Sequence, residues 1–204
     1  MTIWFATGNE HKRQELAAIL TGYTITIPSD AGIVFDPAET GSSFLENAFI
    51  KATVLFEAVH EPVIADDSGL CVDALGGGPG ICSARYGGDD GGKLTPSERN
   101  ALLLKDIAAA ESAGRNTGNR NARFVCAMVL LLSESRFFAA QETLEGEILN
   151  EERGAGGFGY DPLLFLPEQG RTVAELSSME KNRISHRSKA ALTIGKALEA
   201  MYNR

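Results

Sequence analysis

Two adjacent carboxylates, Asp66 and Asp67, directly follow the apolar run Val63 to Ala65. The apolar run predicts the end of a buried strand, and Ser68-Gly69 predicts a turn after it. Carboxylates repel each other, and burying them is costly without a positive partner. A pair at a strand end therefore favours a site for a cation and an anionic ligand. The alternative is a solvated turn in which an Asp caps the next segment, since Asp, Ser and Gly are ordinary turn residues.

Length and charge limit the classes of protein to which this chain can belong. Its 204 residues suit one large domain or two tightly joined lobes, and 44% hydrophobic residues allow a sizeable core. A net charge of −8 argues against a general nucleic-acid binder, which carries a basic face. The longest apolar run, 124–132, is too short to span a bilayer, and no charged-then-apolar leader opens the chain. We therefore expect neither a nucleic-acid polymer nor a membrane as partner.

The three cysteines are Cys71, Cys82 and Cys126. An odd number without CxxC or Cys/His spacing indicates reduced thiols, which are typical of a cytoplasmic protein. We expect all three cysteines to be small core residues.

Strand and helix patterns alternate along the chain and predict an α/β fold. Strand patterns occupy residues 2–6, 23–27, 63–65, 123–132, 137–144 and 163–166. Helical patterns follow Asn9, run from Phe44 to about Val59 and from Thr95 to about Ala110, and occupy the last segment to about Tyr202. The strands at 123–132 and 137–144 are predicted to be neighbours in an antiparallel hairpin.

The turn Thr7-Gly8-Asn9 joins the first strand to the first helix. Asn9 is predicted to cap the helix, and free backbone N–H groups together with the helix dipole make an anion site there. Lys12 falls in the first helical turn, where its ammonium can reach the same anion. The alternative is a capped surface helix with a solvated lysine.

A second lysine, Lys51, falls on the mostly apolar stripe of the next helix. Ser43 and Glu46 have the spacing of a capping box at the start of that helix. A lysine in such a stripe either extends to solvent or points at an anionic group. The spacing leaves both interpretations open.

Polar residues at predicted strand ends and in loops form one chemical set. The carboxylates are Glu39, Asp66, Asp67 and Asp161, the cations are Lys12, Lys51, Lys181 and Arg187, and Phe158 is an aromatic residue between glycines. Open α/β sheets place ligands at such positions. Acidic oxygen ligands without a His/Cys cluster favour magnesium over zinc. Magnesium, lysines and a stacking aromatic side chain together indicate a nucleoside polyphosphate.

Five segments resemble the inosine triphosphate pyrophosphatase family, in order along nearly the whole chain. They are Thr7 to Lys12, Thr40-Gly41 with Glu46 to Ala48, Ala65 to Leu70, Gly157 to Pro162, and Ser185 to Arg187. The resemblance implies an α/β fold with an elongated mixed central sheet flanked by helices, as two lobes of one domain (1–204) with a substrate cleft between them. It also implies a homodimer, a Mg²⁺ cofactor, and hydrolysis of ITP, dITP and XTP to nucleoside monophosphate plus pyrophosphate, which cleanses the nucleotide pool.

The same resemblance implies a role for each matching residue. Thr7, Gly8, Asn9, Glu10, His11 and Lys12 hold the triphosphate, which Lys51 and Lys181 also contact. Glu39 and Asp67 bind Mg²⁺, Asp67 accepts a proton from the attacking water, and Asp66 and Ser68 support this corner. Phe158 stacks on the base, Gly159 and Tyr160 belong to the same substrate-binding loop, and Asp161, His186 and Arg187 read the edge of the base. The resemblance does not decide whether Arg85, which lies in the substrate loop, contacts the ligand.

Two other functions fit parts of this pattern. One is a pyrophosphatase for pyrimidine or modified nucleotides, which a preference for dTTP or UTP would indicate. The other is a nucleotide-binding module without turnover. The acidic pair argues against that module, because a mere binder of a polyanion gains little from extra carboxylates.

Overall fold

The computed structural model describes residues 2–88, 94–114 and 119–202. Its strands are β1 (Thr2–Phe5), β2 (Thr24–Thr26), β3 (Val63–Val72), β4 (Asn121–Ser133), β5 (Arg136–Ile148), β6 (Leu164–Leu166) and β7 (Arg171–Thr172). Its helices are α1 (Glu10–Ile19), α2 (Phe44–Val59), α3 (Pro96–Ser112), α4 (Ser178–Ile184) and α5 (His186–Tyr202). No helix in this described part is long and apolar enough to cross a membrane.

The strands form a seven-stranded mixed sheet in the order β2-β1-β3-β4-β5-β6-β7. β1 runs parallel to both β2 and β3, whereas β6 runs antiparallel to β5 and β7. The predicted α/β fold with a mixed sheet and flanking helices is confirmed. β4 and β5 are neighbours, as their sequence patterns predict.

The chain divides into two compact units. Unit 1 comprises Met1–Ser68, Cys126–Thr143 and Ile184–Arg204, and unit 2 comprises Gly69–Val125 and Leu144–Arg183. Unit 1 therefore contains α1, α2 and α5, and unit 2 contains α3 and the glycine-rich loop that includes Phe158.

Helices cover the sheet of unit 1 from two sides. One apolar cluster joins α1 and α5 to Ile64, and a second joins α2 to Val63 and Ala65. Successive side chains of a strand point to opposite faces of the sheet. The even-numbered residues at the start of β3 therefore face α1 and α5, and the odd-numbered residues face α2.

β3 continues through Ser68 and Gly69 as far as Val72, so the predicted turn after Asp67 is wrong. The reason is burial, because Leu70 and Val72 are as fully buried as the apolar start of the strand. A segment inside a sheet must keep its backbone N–H and C=O groups paired, and an extended strand does this with its neighbours. The turn-forming residue types of this segment are thus held in a strand.

The three cysteines are free thiols in different environments. Cys126 is buried, Cys71 is half-buried and Cys82 is exposed, so the prediction of three core residues is wrong for Cys82. Cys82 lies in a 3₁₀ segment, Gly80–Arg85, whose buried side chain is Ser83. The Ser83 hydroxyl accepts the Leu70 N–H at 2.8 Å, which directs that residue inward in place of the cysteine.

Leu55→Ala is expected to lower the free energy of unfolding by about 2–5 kcal/mol, because Leu55 of α2 is fully buried and its removal leaves a cavity. Val54→Ala is the matched control, since its neighbouring side chain is 42% exposed and its truncation should change stability by less than about 0.5 kcal/mol. Urea unfolding of the three proteins measures both values. Equal losses for the two variants would contradict the assignment of the α2 face.

Candidate active site

Asp66 is buried between two cations of unit 1. Its Oδ1 accepts a hydrogen bond from Lys12 Nζ at 3.0 Å, and its Oδ2 accepts one from Arg187 Nε at 3.1 Å. Burial raises the pKa of Asp66, but the charges of Lys12 and Arg187 outweigh burial and hold the pKa well below its usual range. Asp66 is therefore an ionised group that holds one cation of α1 and one of α5.

Arg187 is itself buried and donates to three side chains of unit 1. Besides Asp66, its Nη1 donates to Glu15, and its Nη2 donates to Ser68 Oγ at 2.8 Å. Glu15 was not among the residues that the sequence pattern predicted for the site. Glu15 lies three residues after Lys12, so both side chains are on one face of α1, and this spacing could have predicted a place for Glu15 in the site.

Asp67 has a different set of partners, which belong to α2 and the segment before it. Lys51 Nζ donates to Asp67 Oδ1 at 2.9 Å and to Glu39 Oε1 at 2.7 Å. Burial raises the pKa of Asp67 above its ordinary value, although the Lys51 charge opposes this shift. Burial lowers the pKa of Lys51, but the charges of Asp66 and Asp67 outweigh it and raise that pKa. Lys51 thus points at anionic groups rather than at solvent.

Asn47 of α2 fixes the second oxygen of Asp67. Its Nδ2 donates to Asp67 Oδ2 at 3.3 Å, and its Oδ1 accepts the Gly41 N–H at 2.8 Å. A Cβ on Gly41 would lie 2.7 Å from Asn47 Oδ1, so glycine is required for this contact. Asn47 lies in one of the segments that resemble the family, but the resemblance implied no role for it.

The donor set of Glu39 and Asp67 fits a magnesium ion. Both carboxylates converge on one cationic group, Lys51 Nζ, within 2.9 Å. In residues 2–88, 94–114 and 119–202, no cluster of three or more His, Cys, Asp or Glu side chains is arranged to hold a metal. Magnesium needs no such cluster, because it usually takes one or two carboxylates and completes its shell with water and substrate phosphates.

The start of α1 has the predicted cap. Asn9 Oδ1 accepts the N–H groups of His11 at 2.9 Å and Lys12 at 3.3 Å, and Thr7 Oγ1 accepts the Asn9 N–H at 3.1 Å. The N–H groups of Asn9, His11 and Lys12 are thus used within the turn, and the binding of an anion here stays a prediction. The Lys12 ammonium and the helix dipole are the positive features of this turn.

In unit 2, Phe158, Asp161 and Lys181 form a compact group. Asp161 Oδ2 accepts the Phe158 N–H at 2.9 Å and a hydrogen bond from Lys181 Nζ at 2.8 Å. The same ammonium lies 4.5 Å from the centroid of the Phe158 ring. Gly157 has φ +72°, and a Cβ there would lie 2.1 Å from Asp161 Oδ2, so only glycine fits. The sequence assigned Lys181 to phosphate, and its contacts here are with the predicted base-binding residues.

Neighbouring polar contacts hold this loop. Tyr160 donates from its hydroxyl to the Ser83 carbonyl at 3.0 Å, and Asn100 of α3 donates to the Gly159 carbonyl at 3.1 Å. Asn100 is a buried residue that sequence analysis did not single out. His186, the first residue of α5, is also buried and belongs to unit 1 with Arg187. The base contacts assigned to His186 and Arg187 stay predictions.

Asp66→Asn is expected to lower the free energy of unfolding by about 3–5 kcal/mol at neutral pH, because the buried Arg187 and the half-buried Lys12 lose their shared carboxylate. The folded-state pKa of Asp66 is depressed, so its stabilisation is complete above the unfolded-state value of 3.8 and is lost as the pH falls below it. The difference between wild type and variant should therefore shrink below about pH 4. Urea unfolding across pH measures it.

The exposed Asp36 supplies the control for this experiment, since Asp36→Asn removes the same charge outside the cluster. Its stability should follow wild type within about 0.5 kcal/mol. A pH-independent difference between Asp66→Asn and wild type would contradict the assignment.

Known proteins resemble this chain along nearly its whole length. Residues 3–197 match the sequence profile of the Ham1 family. A dITP/XTP pyrophosphatase of Treponema denticola is 47% identical over 98% of this chain and 99% of its own. A dITP/XTP pyrophosphatase of Geobacillus kaustophilus is 44% identical over 92% of this chain and 89% of its own.

Solved structures agree with the sequence relatives. The HAM1 protein of Coxiella burnetii has a TM-score of 0.87 at 36% identity, with 98% of this chain and 99% of that chain covered. The Ham1 protein of Staphylococcus aureus has a TM-score of 0.85 at 36% identity, with 98% and 100% covered. The family resemblance seen in the sequence is thus confirmed, and the chain belongs to the Ham1 family.

Proposed function

We propose that this protein is a Mg²⁺-dependent pyrophosphatase that cleaves dITP, XTP and ITP between the α- and β-phosphates. The products are a nucleoside monophosphate and pyrophosphate, and their formation keeps deaminated bases out of DNA and RNA. The names of the full-length relatives support this activity. The observation that carries the site assignment is the convergence of Glu39 and Asp67 on a single cation. A homodimer in the cytoplasm is part of the proposal and is supported by the family resemblance and by the cysteine spacing.

Asp67 is the proposed proton acceptor for the attacking water. Lys51 and Asn47 fix its two oxygens, so its orientation is set before substrate arrives. The raised pKa of Asp67, which burial causes, makes this carboxylate a stronger base than an ordinary aspartate. The water loses its proton to Asp67 as its oxygen bonds to phosphorus, and pyrophosphate leaves with the electrons of the broken P–O bond.

Glu39 and Asp67 would hold the metal ion. Bound magnesium supplies positive charge at the phosphoryl oxygens, where negative charge accumulates in the transition state of phosphoryl transfer. Lys12 serves the same oxygens from the first turn of α1. A Cβ on Gly8 would meet nothing within 4 Å, so the turn before α1 leaves room for a phosphate.

Phe158, Asp161 and Lys181 are the proposed base-binding group of unit 2. Hypoxanthine and xanthine carry a 6-oxo acceptor and an N1–H donor, whereas adenine has a 6-amino donor and a bare N1. The Asp161 carboxylate can accept the N1 proton, and the Lys181 ammonium of the same unit can donate to the oxo group. Adenine would place its 6-amino donor against the Lys181 ammonium and its bare N1 acceptor against the Asp161 carboxylate, so neither contact could become a hydrogen bond. The Phe158 ring supplies a surface on which any base can stack, so stacking does not distinguish one base from another.

Asp67→Asn is expected to lower kcat by about 10²–10⁴ with the fold intact, because it removes a base and a metal ligand at nearly constant volume. Pyrophosphate release from dITP with Mg²⁺ measures the rate. Asp36→Asn, which neutralises an exposed carboxylate, is the control and should match wild type. Activity of Asp67→Asn within about twofold of wild type would contradict the assignment.

The wild type is expected to prefer dITP, ITP and XTP to ATP by up to about 10⁴ in kcat/KM, since a site built on hydrogen bonds rejects an unpaired analogue. Phe158→Ala should weaken every purine substrate by about 5- to 150-fold while the ratio of dITP to ATP changes little, because stacking does not distinguish bases. Phe138→Ala, which truncates an exposed phenylalanine of β5, is the control.

A panel of dITP, XTP, GTP, ATP, UTP and dTTP decides among the functions. Equal use of dITP and ATP would contradict the base assignment, and preference for UTP or dTTP would indicate a pyrimidine pyrophosphatase. Tight binding of dITP without pyrophosphate release would indicate a binding module.

A further inference from the structure

Lys51 occupies the point at which Glu39 and Asp67 meet. Its ammonium lies 2.7 Å from Glu39 Oε1 and 2.9 Å from Asp67 Oδ1. The Lys51 side chain is 9% exposed, the Asp67 side chain 8% and the Glu39 side chain 28%, so water screens the Lys51–Asp67 pair little. The two carboxylates are therefore held together by a lysine on the neighbouring helix.

A magnesium ion at these carboxylates would compete with Lys51. Magnesium in proteins usually takes one or two carboxylate oxygens as direct ligands, and the ammonium hydrogen-bonds one oxygen of each of these two carboxylates. Two cations held by the same pair of carboxylates repel each other strongly where water is excluded. The ammonium and the metal ion thus cannot share these oxygens without one of them moving.

We propose that the Lys51 ammonium holds the place of the metal ion between Glu39 and Asp67 in the nucleotide-free protein, and that metal binding displaces it toward the triphosphate. The inference deepens the proposed function, because it presumes that this site binds magnesium and a polyphosphate. Lys51 is a positioning residue for the two carboxylates before the metal binds and a phosphate ligand afterwards.

The exchange couples metal and nucleotide binding. Displacing a buried ammonium from two carboxylates is costly unless another anion receives it. A triphosphate supplies that anion, so each ligand should raise the affinity for the other by the same factor. Removal of the Lys51 charge should abolish the exchange and weaken the coupling between metal binding and nucleotide binding.

The first experiment titrates Mn²⁺, as a spectroscopic probe of the magnesium site, into the nucleotide-free protein and follows free Mn²⁺ by electron paramagnetic resonance. Lys51→Met should bind Mn²⁺ at least about tenfold more tightly than wild type, because the competing charge is gone. Lys51→Arg keeps a cation and should bind as weakly as wild type. Lys196→Met removes an exposed lysine charge from α5 and is the matched control.

The second experiment follows the Lys51 side chain directly by nuclear magnetic resonance. In protein labelled with ¹³C at the lysine ε-carbon, addition of Mg²⁺ without nucleotide should shift the Lys51 signal, which Lys51→Arg identifies by its disappearance. A non-hydrolysable dITP analogue with an α,β-methylene bridge should then bind wild type more tightly with Mg²⁺ than without. In Lys51→Met, this enhancement should fall at least about tenfold.

Weaker or unchanged Mn²⁺ affinity in Lys51→Met relative to Lys196→Met would overturn the inference, as would a Lys51 signal that is unmoved at saturating Mg²⁺. If Lys51 had only a structural role, Lys51→Met would bind Mn²⁺ more weakly than wild type, whereas the proposed exchange predicts tighter binding. Pyrophosphate release from dITP by the same wild-type preparation separates the two proposals. If wild type turns over dITP but Lys51→Met shows no gain in Mn²⁺ affinity, only the inference about Lys51 is contradicted. If Lys51→Met gains Mn²⁺ affinity but wild type does not turn over dITP, only the proposed function is contradicted.

Discussion

Successive side chains of a β-strand point to opposite faces of a sheet, and this alternation separates Asp66 from Asp67. Asp66 shares its face with α1 and α5, which supply Lys12 and Arg187. Asp67 shares its face with α2, which supplies Lys51 and Asn47. Two carboxylates that are neighbours in sequence thus have separate partners, and their mutual repulsion no longer limits how deeply they can be buried.

Their different partners give the two carboxylates different chemistry. Two cations hold the pKa of Asp66 well below its usual range, so it stays a fixed negative charge. Burial raises the pKa of Asp67, whose ammonium partner is shared with Glu39. Pairs of titratable groups with pKa values shifted in opposite directions commonly divide structural and proton-transfer roles. Asp66 organises the cations, and Asp67 is suited to exchange a proton.

Sequence patterns predicted most of the helices and strands, because the apolar periodicity of α2 and the caps Asn9 and Ser43 are local signals. They failed at Ser68-Gly69, where burial of the flanking residues imposes a strand on turn-forming residue types. The acidic pair and Lys51 could be singled out as charges in apolar surroundings. Their pairing could not, because it depends on strand parity and on which helix covers each face. The contacts of Glu15 with Arg187 and of Asn47 with Asp67 likewise join residues that are distant in sequence.

Charge balance explains how an acidic protein could receive a polyphosphate. The cluster in unit 1 contains the carboxylates of Glu15, Glu39, Asp66 and Asp67 and the cations of Lys12, Lys51 and Arg187, so it carries one more negative than positive charge. Each cation already faces a carboxylate, and a free triphosphate would have to compete with that carboxylate. On the proposed function, a metal ion changes the sign of this balance and releases lysine charge for the phosphates. The carboxylates that would repel the free nucleotide thereby become the groups that select its magnesium complex.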